Sequence, residues 1–231
     1  MTLYLIPTVL AEGTASDVLS PQIREVLMSL DVYFVENIRT ARRFISSLKL
    51  GIVIDELEFW ELDKNTPIEQ TWERMKNLDR PAGVLSEAGC PGVADPGAVA
   101  VDMAHQLGYQ VKPLVGPSSI LLALMGSGMN GQSFSFHGYL PIDKTERKMA
   151  IKHLEKESGQ RGQTQIFMET PFRNNQFLTS LLDTANPNTK LCIASNITAA
   201  DEFIQTKLVK EWKKELPDLH KKPTIFLLST Y

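Results

Sequence analysis

Cysteine is scarce. The 231 residues hold two, Cys90 and Cys192, far apart and outside any CxxC spacing. That excludes a disulfide scaffold and fits a reducing, cytoplasmic compartment. The four histidines, His105, His137, His153 and His220, are scattered without metal-ligand spacing, so no metal is expected. Positive charge is not in excess. With 24 Lys+Arg against 27 Asp+Glu the formal net charge is −3, which argues against a non-specific electrostatic nucleic-acid binder but leaves room for a local basic patch. No apolar run is long enough to span a membrane. The N-terminal "MTLYLIPTVLAEGT" lacks a basic n-region and reads as a first strand. Long repeats and low-complexity segments are also missing.

What remains is core-forming material. At 43% hydrophobic and 22% charged the chain can bury a core, and its length suits one large domain or two small ones. "LYLIPT" reads as a buried strand ending at Pro7. "SPQIREVLMSLD" spaces Ile23, Val26, Leu27 and Leu30 as a helix, with Ser20 as N-cap and Pro21 at the first helical position. "VYFVEN" is a strand with Glu36 at its end, and "RTARRFISSLKLG" a helix. "GIVIDELEFWEL" is ambiguous and reads as a strand passing into a loop. A helix "PIEQTWERMKNLD", a strand "AGVLSEAG", a helix "DPGAVAVDMAHQLG" and a strand "YQVKPLVG" follow. Strands alternating with helices predict a mostly parallel sheet with helices on both faces. Ligands of such sheets bind beyond the carboxyl ends of the strands, which puts Pro7, Glu36 and the Ser86–Gly97 loop on one rim.

The punctuation "PLVGP" suggests a boundary, giving domains 1–114 and 115–231. The second half contains an apolar helix after Ser118 and Ser119. The strands "FSFHGYL", "TQIFMETP", "KLCIASNIT" and "TIFLLSTY" make it a sheet of its own. "TERKMAIKHLEKES" and "FRNNQFLTSLLDTA" read as helices, and "KLVKEWKKELPDLHKK" as a lysine-rich surface segment. The fold class expected is α/β: two α/β domains, the first mostly parallel, the second with a mixed sheet, and a cleft between them as the default site.

"SEAGCPGVADPG" crowds glycines and carboxylates at a strand-to-helix turn, where backbone groups can approach a ligand closely. It is neither GxGxxG nor GxxxxGK[ST], so a Rossmann dinucleotide site or a P-loop is unsupported. With no histidine in the motif, Cys90 reads as a small buried residue rather than a nucleophile. Asp95 reads as a helix-start residue. Glu87, at a strand end, faces the rim. "PLVGPSS" reads as a sharp turn with Ser119 at a helix start. "FMETPFR" sets Glu169 and Arg173 four apart, as in a local ion pair. Arg39 and Arg43 share a helix face beside Glu36. Two like charges there disfavour the helix unless something anionic docks.

Taken in order, "LYLIPT", "VENIRTAR", "GVLSEAGCPGVADPG", "PLVGPSS", "LMGSG", "FSFHGYLP", "METPFR" and "NITAADEF" resemble the tetrapyrrole methylase family of S-adenosylmethionine-dependent methyltransferases. Within it they are most similar to the group that 2′-O-methylates a ribose of small-subunit ribosomal RNA. The resemblance covers nearly the whole chain and implies a homodimer with S-adenosylmethionine between its two domains. It assigns Pro7, Ala88, Gly89, Cys90, Val93, Ser118, Ser119 and Ile120 to the cofactor, with Met168, Ala199, Pro223 and Thr224 bracketing its adenine. Arg39, Arg43 and Arg173 fall on the substrate side. Several motifs depart from that group. "ATPIGN" becomes "IPTVLAEGTASD", "EDTR" becomes "ENIR", "SDAGTP" becomes "SEAGCP", "PHR" becomes "PFR", and "ELTK" becomes "NITA". A C-terminal extension common in the group is absent.

A hydroxyl acceptor must lose a proton, and Glu87, Glu36 and Glu169, in that order, are the candidate bases because all three fall at strand ends. The leading expectation is an RNA methyltransferase. The same chemistry on a small molecule or protein side chain, or a lapsed enzyme that only binds cofactor or RNA, are the alternatives.

Overall fold

A computed structural model describes all 231 residues, Met1–Tyr231. They divide into two compact units, Met1–Ser118 and Ser119–Tyr231. The Val115–Ser118 turn stays with the first unit because Gly116 lies against the ring of Pro7, whereas Ser119 opens a helix of the second.

In chain order the first unit contains β1 (Thr2–Ile6), α1 (Ala15–Val18), α2 (Pro21–Met28), β2 (Val32–Val35) and α3 (Ile38–Ser47). There follow β3 (Glu58–Glu61), α4 (Ile68–Lys76), β4 (Ala82–Leu85), α5 (Gly97–Gln106) and β5 (Gln110–Pro113). The sheet order is β3-β2-β4-β1-β5, and every pairing is parallel. β2 and β4 are buried at every position, as strands covered on both faces must be, and their sequences are accordingly unbroken apolar runs. Helices α2 and α3 cover one face, against Ile6, Tyr33, Val35 and Leu85. Helices α4 and α5 cover the other, against Leu3, Phe34, Ala82 and Val84. The chain moves outward from β1 over one face, then returns over the opposite face, as right-handed crossovers require. Gly83 leaves room for this packing. A Cβ there would lie 2.8 Å from Ile6 Cδ1 and 3.0 Å from Tyr33 Cδ1. The buried Tyr33 hydroxyl donates to the carbonyls of Leu27 (3.0 Å) and Leu30 (3.1 Å), and burial pushes its phenol far above the ordinary range.

Ser20 occupies the N-cap of α2 with an extended backbone and Pro21 the first helical position, as the sequence predicts, but the Ser20 hydroxyl makes no capping bond and is buried without a partner. One local expectation is corrected: in "GIVIDELEFWEL" the order is reversed, a 3-10 turn at Ile54–Glu56 coming first and the edge strand β3 after it.

The second unit contains α6 (Ser119–Ser127), β6 (Phe134–Tyr139), α7 (Lys144–Arg161), β7 (Thr164–Glu169) and α8 (Asn174–Thr184). It continues with β8 (Lys190–Ser195), β9 (Phe203–Leu208), α9 (Val209–Trp212) and β10 (Thr224–Ser229). Its sheet runs β6-β7-β10-β8-β9; β6 pairs β7 in parallel and the other three pairings are antiparallel. Helix α6 packs on β8, β9 and β10. On the other face α7, α8 and α9 enclose Phe167, Phe177, Trp212 and Phe226. Asp143 caps α7 by accepting from the amides of Thr145 and Glu146, and Gly162 closes it at φ 59°.

The lysine-rich stretch is only partly surface. Val209 and Trp212 are 0% and 1% exposed, and the Trp212 indole donates to the Leu191 carbonyl at 2.9 Å. Lys207 lies over that ring, 4.6 Å from its centroid. An apolar pair three residues apart, flanked by lysines, turns its buried face inward and leaves the cations outside.

Candidate active site

The parallel register of the first sheet fixes a level edge. Val35, Leu85 and Ile6 are successive partners across β2, β4 and β1. Pro7, Glu36 and Ser86, each one residue further on, therefore stand side by side. β1 and β4 are neighbours whose onward connections leave over opposite faces. That divergence opens a crevice at their carboxyl ends.

Small polar groups stitch the crevice together. The Thr8 amide donates to the Gly89 carbonyl at 2.9 Å, and the Ser86 hydroxyl donates to the same carbonyl at 2.7 Å. The Thr8 hydroxyl donates to the Ser86 carbonyl at 3.3 Å. Gly89 adopts φ 78°, and a Cβ there would meet Leu10 Cδ2 at 3.2 Å and the Pro117 carbonyl at 3.3 Å. The Cys90 thiol donates to the Pro117 carbonyl at 3.3 Å. Burial and then the nearby Asp95 charge push that thiol above its usual range, so it is a neutral donor joining two loops. Asp95 holds the glycine loop to α5, its Oδ1 accepting from the amides of Gly92 (2.6 Å) and Gly97 (2.8 Å). Its other oxygen is buried without a partner. Ala88 and Val93 are exposed on this loop.

The carboxylates gather beside it. Glu87 is exposed, and Thr40, in the first turn of α3, donates to its Oε1 at 3.2 Å. The sequence gives one clue to Thr40: it lies three residues after Asn37, whose side chain accepts the Thr40 amide at 3.0 Å and so orients that turn. Glu36 is half-buried, and its carboxyl is raised above the ordinary range by burial first, then by Glu87, Asp95 and Asp63. Its proton is held more tightly folded than unfolded. The associated stability is present below the ordinary glutamate pKa and is lost as pH rises through the folded one. Glu36→Gln should therefore raise the melting temperature by about 1–2 °C at pH 7, the discounted effect of one partly exposed repulsion of about 0.5 kcal/mol. At pH 4 the gain should vanish; calorimetry at both pH values checks it, and an equal gain at both would contradict the electrostatic cause.

Arg39 and Arg43 are exposed on α3 and make no ion pair, while Arg42 between them pairs with Asp55 and lies 5.9 Å from the Phe59 ring centroid.

In the second unit Met168 and Glu169 end β7, Pro223 and Thr224 open β10, and Ala199 follows β8. Thr224 is the cross-strand partner of both Glu169 and Ser195, and the Asn196 amide donates to the Pro223 carbonyl at 2.9 Å. These residues thus share one end of that sheet. The turn between β8 and Ala199 is strained, with Asn196 at φ 49° and the β-branched Thr198 at φ 72°. Glu169 is enclosed, with a side chain 2% exposed. Its Oε1 accepts from Arg173 Nη2 (2.6 Å) and Nε (3.0 Å) and from the Thr170 amide (2.6 Å). Ser118 closes the first unit, and Ser119 and Ile120 begin α6.

A groove of about 590 Å³ between α4 and α5 is lined by Ile68, Trp72, Val99 and Met103 and includes none of the candidate residues. It lies along the flanks of the two helices that cover one face of the first sheet. No helix is long and apolar enough to cross a membrane.

No protein-family model matches the chain. It is 28% identical to a Vibrio cholerae protein named ribosomal RNA small subunit methyltransferase I, over 99% of this chain and 77% of that one. Among solved structures, the methyltransferase CobJ superposes with a TM-score of 0.63 at 16% identity, covering 99% of this chain and 93% of that one. Uroporphyrin-III C-methyltransferase from Thermus thermophilus, solved complexed with S-adenyl homocysteine, gives 0.57 at 14% identity, covering 99% and 97%.

Proposed function

From a chain homologous along nearly its whole length to ribosomal RNA small subunit methyltransferase I and built on the fold of the tetrapyrrole methyltransferases, we propose an S-adenosylmethionine-dependent methyltransferase of ribosomal RNA, acting on a ribose 2′-hydroxyl. The observation that carries the site is the crevice between β1 and β4, where Thr8, Gly89 and the Gly116–Pro117 turn are locked together.

The residues fit such a cofactor. Gly89 and Gly116 occupy positions where an added Cβ would meet neighbouring atoms, so the loops offer backbone rather than side chains. S-adenosylmethionine supplies an already activated methyl group on a sulfonium. A carboxylate directly against that sulfonium would stabilise the ground state more than the transition state. Ala88, Gly89, Cys90 and Val93 present uncharged surface, and Cys90 stays a neutral thiol. Pro7, Ser118, Ser119 and Ile120 are proposed to complete the methionine end. Met168, Ala199, Pro223 and Thr224 are the residues proposed for the adenine.

The chain's own chemical task is to align the acceptor and take its proton. Glu87 and Glu36 are proposed for the proton, Glu87 positioned by Thr40 and Glu36 raised toward the useful range by burial and by its neighbours. Glu169 is the weaker candidate, because one of its oxygens already accepts three hydrogen bonds. Arg39 and Arg43, free of carboxylate partners, are proposed to meet substrate phosphate. Arg173, engaged with Glu169, is proposed to contribute through that pair. A cytoplasmic homodimer is proposed on the resemblance.

Calorimetry with S-adenosylmethionine, followed by transfer of labelled methyl to small-subunit ribosomal RNA, tests the reading. Binding heat with label retained in RNA is expected. The absence of heat under any buffer condition would sink it, and label appearing only in protein or small-molecule extracts would redirect the substrate.

A further inference from the structure

Charge is divided unequally between the two units. Met1–Ser118 carries 10 Lys+Arg against 16 Asp+Glu, a net of −6, and Ser119–Tyr231 carries 14 against 11, a net of +3. An overall acidic chain therefore contains a basic half. Within that half, Lys144, Lys148, Lys152 and Lys156 recur every fourth residue along α7, and all four are exposed. Residues four apart lie on one helix face, so the four form a single slanting ridge about 18 Å long. Like charges at this spacing oppose the helix that carries them. The packing of α7 does not require them, since Ile151, Leu154 and Ser158 form its inner side. Only Lys152 has a carboxylate, Glu155 at 3.2 Å, and that carboxylate also accepts from the Asn186 amide and the Thr189 hydroxyl. Glu146 and Glu157 fall on the opposite flank, and Glu157 pairs with Arg161 at 2.7 Å.

We propose that this ridge on α7 is a docking surface for the phosphate backbone of the RNA substrate; the inference rests on the RNA-methyltransferase reading. Regularly repeated point charges suit a regularly repeated anion and carry no base information, so they position a strand rather than select its sequence. A protein partner would call for aromatic anchors, and α7 has no Trp, Tyr or Phe. The acidic first unit would repel RNA that approached without such a guide.

The test is fluorescence anisotropy of a 30-nucleotide single-stranded RNA, titrated over a range of salt. The triple variant Lys144→Gln/Lys148→Gln/Lys156→Gln, which leaves the Lys152–Glu155 pair intact, should bind roughly tenfold to a hundredfold more weakly at 0.1 M salt. Its slope of log affinity against log salt should shrink by about 2, near 0.7 per lost phosphate contact. The matching triple arginine variant should retain wild-type binding, and both should keep the wild-type melting curve and heat of S-adenosylmethionine binding. Unchanged RNA affinity and slope in the glutamine variant would overturn the proposal. So would equal losses in the glutamine and arginine variants, or competition by polyglutamate as effective as by RNA. Wild-type protein that binds the cofactor but not RNA overturns the docking surface alone. Protein that binds RNA through the ridge but never binds the cofactor overturns the methyltransferase reading and leaves the ridge standing.

Discussion

Glu87→Gln lowers methyl-transfer turnover at saturating cofactor by about 10²- to 10⁴-fold, the range typical of a lost general base. Affinity for S-adenosylmethionine changes little, because the loop beneath is held by Thr8, Ser86 and Asp95 rather than by Glu87. The pH profile decides between the two carboxylates. If Glu87 takes the proton, its substitution abolishes the acid limb of the rate profile. If Glu36 takes it, Glu87→Gln removes one of the charges that raise Glu36, and the limb persists but moves to lower pH. Glu36→Gln run alongside completes the assignment, and would then combine a small gain in stability at neutral pH with a loss of rate. Unchanged turnover and an unchanged limb in Glu87→Gln would remove Glu87 from the chemistry altogether.

Gly116→Ala is expected to destabilise the protein by about 2–3 kcal/mol, lowering the melting temperature by about 4–12 °C. The added Cβ would lie 2.3 Å from Pro7 Cβ and 2.7 Å from Pro7 Cγ. A long side chain could swing aside, but the Pro7 ring is tied to its own backbone, so one of the two loops must move. Either movement shifts the crevice, and cofactor affinity should fall at least tenfold, since sub-ångström placement governs such sites. Gly131→Ala, where an added Cβ meets nothing within 4 Å, is the control and should melt like the wild type. A Gly116→Ala protein that melts and binds like the wild type would show that the contact with Pro7 is soft and that the crevice does not depend on it.

The first unit was largely legible in the sequence, because its strands are buried on both faces and read as apolar runs between amphipathic helices. The central strands β2 and β4 show this best. What stayed hidden there was small. Helix α1 is four residues long, too short for a periodic signal, and β3 is an edge strand whose exposed ends look like loop. In the second unit the lysines around Val209 and Trp212 masked a core anchor, since composition averages over a helix that has two different faces. At the site, motif order pointed to the loops, but not to who holds whom. That Thr40 reaches Glu87, and that Arg173 occupies Glu169, depend on distances no spacing in the chain reveals. The lysine ridge was in plain view as a charged helix and gained meaning only with the inner side of α7 and the carboxylates on its far flank assigned.

The strand order has a kinetic consequence. In the second sheet β10 lies between β7 and β8, so its two central ladders cannot form until Ser229 has been synthesised. In the first sheet β1, made at the outset, waits for β4 and β5 to give it both neighbours. Each unit therefore closes late in its own synthesis, on contacts distant in sequence, which makes folding slow and leaves apolar strands unpaired meanwhile. In the first unit that exposure lasts until Pro113 has emerged and in the second until Ser229, in each case with nearly every residue of the unit already made.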